Sequence, residues 1–169
     1  NDLPRDGKTM GRVLVKGGTV AKAYFKSSQK ILDDRGYFDT GDIATIDKWN
    51  VMQITDRAKD IIKSGGEWIS SAELENIALG HLASAVCAVI ALPDPKWDER
   101  PMLIVQLKPG AQATTEDYRR YLEDKIARWW MPDEIKFVET IPLGATGKVD
   151  KKALRRLYAD REAKQAAAE

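Results

Sequence analysis

Two lysines in this chain stand beside glycine pairs, and both settings suit the handling of anions. Near the C-terminus, Gly144-Ala145-Thr146-Gly147-Lys148 ends a glycine-broken loop on a lysine. Lysine is a compact positive charge on a flexible stem. Held out on a loop, it can stabilise negative charge developing on a carboxylate or phosphate, an effect worth about 3–4 kcal/mol for one well-placed donor. The plainer alternative is a surface lysine ahead of a helix. Upstream, Lys63-Ser64-Gly65-Gly66 has a similar character. Its glycines let a ligand approach the backbone and expose N–H donors. The pattern is not the Walker A loop Gly-x4-Gly-Lys-Ser/Thr, and a surface turn fits these residues equally well.

Two more stretches carry chemistry-bearing side chains. In Gly36-Tyr37-Phe38-Asp39-Thr40-Gly41-Asp42 the glycines mark a tight turn. Asp42 could accept two hydrogen bonds from a vicinal diol such as a ribose, or could simply bond its own backbone. Asp56-Arg57-Ala58-Lys59-Asp60 is dense in charge, ordinarily the mark of a solvated face, yet Ile61-Ile62 and the Lys63 loop follow at once. Pro95-Lys96-Trp97-Asp98-Glu99-Arg100-Pro101 and Trp129-Trp130-Met131-Pro132 combine tryptophan with proline and read as packing or loop anchors. Lys151, Lys152, Arg155 and Arg156 read as an exposed helical face.

The elements that must position these residues follow from periodicity. Residues 1–55 are β-like, with a strand at 11–16 and a hairpin whose arms, 45–47 and 51–54, flank Lys48-Trp49-Asn50. From about residue 56 the pattern changes. Ser70 and Glu73 form a capping-box signature for a helix carrying Leu74, Ile77 and Ala78 on one face, with His81 just past its end at Gly80. Residues 86–92 form an apolar strand, expected to be central and covered on both faces. A second strand spans 102–107. A helix capped at Thr114 or Thr115 is expected to reach about Trp130, where Pro132 bars its continuation. A third strand covers 134–138, Asp150 caps a last helix, and residues 161–169 read as a tail. The fold class is therefore α+β: a small unit at 56–160 with a three-stranded sheet covered by helices plus a β-hairpin, preceded by a β-rich remnant at 1–55.

Composition narrows the class. A net charge of +1 across 169 residues gives no field of one sign, so neither nucleic acid nor a membrane surface is indicated. No apolar run approaches the ~18 residues of a membrane span. One cysteine, Cys87 in an apolar run, excludes an intrachain disulfide framework and fits a reducing, cytoplasmic setting as a buried structural thiol. One histidine leaves no His-rich metal site. The start, Asn1 to Asp6, is polar and reads as no signal peptide, and opening on Asn1 instead of an initiator methionine implies further residues upstream.

Taken together, Tyr37-Phe38-Asp39-Thr40-Gly41-Asp42, the run from Asp56-Arg57 through Glu75, and Gly147-Lys148 resemble three motifs of the adenylate-forming acyl-CoA synthetases, in order and at suitable separations. Lys63-Ser64-Gly65-Gly66-Glu67-Trp68-Ile69-Ser70-Ser71 and the two tryptophan–proline stretches look most like the fatty-acyl-CoA ligase branch, in the style of medium-chain, long-chain and methylmercaptopropionyl ligases. The resemblance covers nearly the whole chain. It implies that 1–55 is the end of a large N-terminal domain whose phosphate loop and acyl pocket are missing, that 56–160 is the small mobile C-terminal domain, and that the chain alone is inactive. It implies ATP, Mg2+ and CoA as substrates or cofactor of the intact enzyme, none held by this chain alone, and a carboxylic acid as co-substrate. By motif position Asp42 and Arg57 would hold the ribose hydroxyls, Lys148 would serve adenylation, and Lys59 would be the hinge. Lys63 would serve the thioester step, with Gly65, Gly66 and Trp68 bordering the pantetheine channel. No metal ligand is implied, and a homo-oligomer is compatible with the residues. Ala78-Leu79-Gly80-His81-Leu82-Ala83-Ser84 departs from the family by lacking the common His-Pro turn. Two alternatives stand beside this reading: an adenylating enzyme that loads a carrier protein, and a freestanding binding or regulatory module of the same fold.

Overall fold

The computed structural model describes residues 3–166. The chain divides into two compact units, residues 1–59 and 60–169. In the first, β1 (Gly11–Val15), β2 (Phe38–Ile46) and β3 (Met52–Arg57) form an antiparallel sheet in that order. The expected hairpin joins β2 to β3. Its turn is fixed by Asp47, whose Oδ1 accepts from Trp49 N and Val51 N, both at 2.9 Å, while Asn50 takes a φ of 65°. Asparagine tolerates that left-handed conformation better than most side chains.

The second unit is built on a long hairpin, β6 (Ser84–Asp94) and β7 (Asp98–Leu107), with β8 (Glu134–Val138) parallel to β7. These are the three strands expected from the sequence. A short hairpin, β4 (Ile62–Ser64) and β5 (Glu67–Ile69), joins the start of β7 through the Ser64↔Asp98 pair, so the sheet has five strands. β7 is central, and β6, expected to be central, is an edge strand. A continuous apolar run reports two covered faces. It says nothing about lateral pairing.

Strand alternation splits the core in two. Cys87, Val89, Leu103 and Val105 face one side, where they pack with Ile62, Ile69, Leu74, Tyr118 and Leu122. Ala88, Ile90, Met102 and Ile104 face the other, with Ile141, Leu154 and Tyr158. Helices α1 (Ser71–Leu79) and α2 (Thr115–Glu123) therefore cover one face, and α3 (Lys151–Ala166) covers the other. Ser70 Oγ accepts from Glu73 N at 3.1 Å, as its N-cap position predicts. Asp150 Oδ1 likewise takes Ala153 N at 3.0 Å. α3 extends into the segment read as a tail; residues 167–169 lie outside the described residues.

Two expectations change. The helix expected to reach Trp130 stops at Glu123, and Arg128–Trp130 forms a separate 3-10 turn. Arg100 takes the main-chain carbonyls of Trp129 and Met131, at 2.9 and 3.0 Å, and so draws this segment to β7. Lys151 and Arg155 are not part of an exposed face. Lys151 Nζ bonds Glu75 Oε1 at 2.8 Å and Ser71 Oγ at 2.7 Å, and Arg155 pairs with Asp60. Lys152 and Arg156 are the exposed members.

Glu75 has a second task. Its Oε1 accepts Val89 N at 2.7 Å, covering a main-chain donor on the edge of β6 that would otherwise invite strand pairing. The Lys151–Glu75 pair is largely buried, at 14% and 19% exposure. Breaking such a pair by removing one partner is costly because the other charge stays buried. Glu75→Ala should therefore lower stability by about 3 kcal/mol, read as a lowered urea midpoint. Glu75→Gln, which keeps an acceptor for Val89 N, should lose less.

Burial pushes the Cys87 pKa up, partly offset by its bond to Ser84 Oγ and reinforced by the nearby Glu75 charge. The neutral thiol thus stabilises the fold below the ordinary thiol value, and this contribution is lost as pH climbs through the folded value. Native Cys87 should resist iodoacetamide near pH 8 and react once urea unfolds the chain.

Candidate functional site

Antiparallel pairing of β2 with β3 sets Asp42 opposite Arg57, and Arg57 Nε lies 3.2 Å from Asp42 Oδ1. Gly41, at φ 75°, turns the strand just before Asp42, and its carbonyl accepts Ala58 N at 2.9 Å. Asp42 thus pairs across the strands instead of bonding its own backbone. With Arg57 63% exposed, the pair contributes at most about 1 kcal/mol to stability, so a ligand can open it at small cost. A carboxylate acceptor beside a guanidinium donor is suited to a diol.

Lys59 lies in the turn after β3, at the last residue of the first unit. Asp60, the next residue, is tied to α3 through Arg155.

Gly65 and Gly66 close the β4–β5 hairpin with φ of 60° and 88°. Two consecutive positive φ values define the turn that matches strand twist in two-residue hairpins. Gly65 is doubly constrained: a Cβ there would lie 2.8 Å from the Trp97 ring, and Gly65 N donates to Trp97 O at 2.8 Å. Register pairs Lys63 with Trp68, which places both on the outward face. Ile62, Ser64 and Ile69 point inward and are buried. Lys63 N donates to Glu99 Oε2 at 2.8 Å while its ammonium is exposed.

The Lys148 loop is pinned at its base. Gly144 N donates to Lys148 O at 2.7 Å, Gly147 N to Gly144 O at 2.9 Å, and Leu143 bridges Val149. Gly147 has φ 76°. Among the described residues no hydrogen bond or ion pair engages the Lys148 ammonium, which is exposed. Ile141, Val149 and Leu154 root this loop against the α3 face of the sheet, whereas Ile62 and Ile69 root the Lys63 hairpin against the α1/α2 face. One sheet therefore carries the two lysine loops on opposite sides. Among the described residues no group of three or more His, Cys, Asp or Glu side chains converges as a metal site, and no helix is long and apolar enough to cross a membrane. His81 packs its ring 4.3 Å from Tyr118, between centroids, in a structural role.

Read from the sequence, Arg100 and Glu75 had no role of their own, and Lys151 and Arg155 were taken for exposed charges. For the last two a signal was present, since an i, i+4 spacing puts Lys151 and Arg155 on one helical face. Arg100 had only its place in a charged Trp–Pro segment.

Residues 73–148 match the family model for the AMP-binding enzyme C-terminal domain. The chain is 51% identical over 161 residues to 3-methylmercaptopropionyl-CoA ligase from Ruegeria pomeroyi, a match covering 95% of this chain and 30% of that protein. It is 49% identical over 158 residues to medium-chain-fatty-acid–CoA ligase from Ectopseudomonas oleovorans, covering 94% of this chain and 29% of that protein. ATP-bound MatB from Rhodopseudomonas palustris superposes with a TM-score of 0.82 at 30% identity, over 94% of this chain and 32% of that one. The chain thus spans about 30% of the length of the curated relatives it matches. The matched segment runs from within α1 to Lys148 and takes in β6, β7, α2 and β8, so through residues 73–148 the chain belongs to the family of AMP-binding enzyme C-terminal domains.

Proposed function

We propose that this chain is the C-terminal part of an ATP-dependent carboxylic acid–CoA ligase. The substrate class is a medium- or long-chain fatty acid or a related small carboxylate, as the relatives' names suggest. The observation that carries this reading is the pair of lysine–glycine loops rooted on opposite faces of one sheet. In the first step a carboxylate oxygen attacks the α-phosphorus of ATP, with pyrophosphate leaving. In the second the CoA thiol attacks the acyl carbon, and AMP leaves with the former carboxylate oxygen. Mg2+ is taken to enter with the nucleotide.

The two steps make opposite demands. Adenylation needs a cation where charge builds on the carboxylate and α-phosphate oxygens, and Lys148, exposed on a pinned loop, fits that role. Thioester formation needs a narrow path for a thiol. The Gly65-Gly66 turn, with no side chain at its tip and Lys63 and Trp68 on one face, fits that one. Rotation about Lys59 would exchange the loops, a domain motion of the hinge type. Asp42 and Arg57 would grip the ribose hydroxyls. A single buried thiol supports a cytoplasmic setting.

Two measurements test this in the full-length enzyme. Lys148→Ala should lower ATP–pyrophosphate exchange by roughly 10²–10³ while CoA still attacks supplied acyl-adenylate at near the wild-type rate; equal loss in both steps would refute the assignment. Lys59→Pro, which locks φ near −65°, should keep most of the exchange activity and stall thioester formation. An unchanged thioester rate would count against the hinge.

A further inference from the structure

Arg100 joins three parts of the second unit that lie far apart in sequence. Its Nε and Nη2 grip the Asp133 carboxylate at 2.8–3.1 Å. Its Nη1 donates to Ser64 Oγ and Trp129 O, both at 2.9 Å, and its Nη2 to Met131 O at 3.0 Å. The side chain is only 14% exposed, against 50% for Asp133. All five guanidinium N–H directions are directed at fixed oxygens, a geometry that lysine cannot reproduce. Ser64 adjoins the Gly65-Gly66 turn, and its residue is 5% exposed. Two residues before Arg100, Asp98 pairs with Ser64 across the β4–β7 contact and takes φ 73°. Glu99, next to Arg100, accepts Lys63 N at 2.8 Å, and Trp97 O accepts Gly65 N. The start of β7 therefore holds the small hairpin at three successive points, and Arg100 locks that hold to the Trp129–Met131 segment. Among the described residues Arg100 makes no hydrogen bond or ion pair with the Lys148 loop.

We propose that Arg100 is a positioning residue for the thioester half-reaction: through Ser64, Trp129 and Met131 it sets the Lys63–Gly66 hairpin and the tryptophan segment as one wall of the thiol path, and it leaves adenylation alone. This rests on the ligase reading above. It extends that reading by predicting that a buried arginine with no hydrogen bond to the Lys148 loop divides the two steps.

The test uses the full-length enzyme with Arg100→Lys, and with Ser64→Ala, which removes the hairpin-side bond and spares the Asp133 grip. Misplacement of about 1 Å can cost on the order of 10²-fold. Arg100→Lys should thus slow CoA attack on supplied acyl-adenylate by roughly 10- to 100-fold and raise KM for CoA, with ATP–pyrophosphate exchange unchanged. Ser64→Ala should do the same more weakly. Hydrogen exchange of the peptide spanning residues 62–69 should speed up in both variants, because the Gly65 N–H is released. Equal loss of both half-reactions would show Arg100 to be a general structural tie, and an unaltered thioester rate would also overturn the proposal. If the wild-type enzyme makes no thioester with CoA, the ligase reading falls, and the exchange readout alone decides: unaltered protection of the hairpin in Arg100→Lys sinks the positioning role.

Discussion

Everything in the second unit depends on the pairing of β6 with β7. Both strands are buried on both faces over their middle residues, so neither face can be given up to solvent. Register then decides which side each residue serves. The pairs Cys87↔Val105 and Val89↔Leu103 point to the α1/α2 side, and Ala88↔Ile104 and Ile90↔Met102 to the α3 side. Slipping one strand by a single residue would send each set to the opposite face. Because one lysine loop is rooted in each half of the core, the same register also fixes which loop belongs to which side.

Polar struts complete what the apolar core begins. Hydrophobic contact is not directional, so it can bury α1 and α3 without setting where their ends lie. Glu75, Lys151 and Ser71 join the starts of the two helices at the edge of β6, and Asp60–Arg155 ties the residue after Lys59 to α3. Arg100 performs the same service for the small hairpin. These are largely buried, hydrogen-bonded charges, quite unlike the exposed Asp42–Arg57 pair. Energetics separates the two groups: the buried contacts resist being broken, whereas the exposed pair yields readily to a competing ligand.

Much of this was legible in the residues. Ser70 announced its N-cap, residues 134–138 announced their strand, and the Gly65-Gly66 and Gly147-Lys148 loops appear where glycine and lysine predicted them. Asp42 and Arg57 come from separate stretches, linked in the sequence only by the family resemblance, and meet as register partners. Less legible were the features that depend on lateral or distant contact. The edge position of β6 depends on which strands pair, and an apolar run is blind to that. The 3-10 turn that stands in place of the end of the expected helix is held by Arg100, a contact made across the fold and not along the chain.

The sequence alone determined the local chemistry: which lysines sit on glycine loops, which acid could accept a diol, where helices start, and which family the motifs resemble. These are properties of short segments, carried by side-chain type and by backbone torsion preference. Only the tertiary structure decided that the two lysine loops stand on opposite faces of one sheet, that Lys151 and Arg155 are struts and not surface charge, and that Arg100 binds the hairpin to the tryptophan segment. Those outcomes rest on pairings such as Ser64 with Asp98, and Glu75 with Lys151, whose partners are brought together by packing and not by adjacency in the chain.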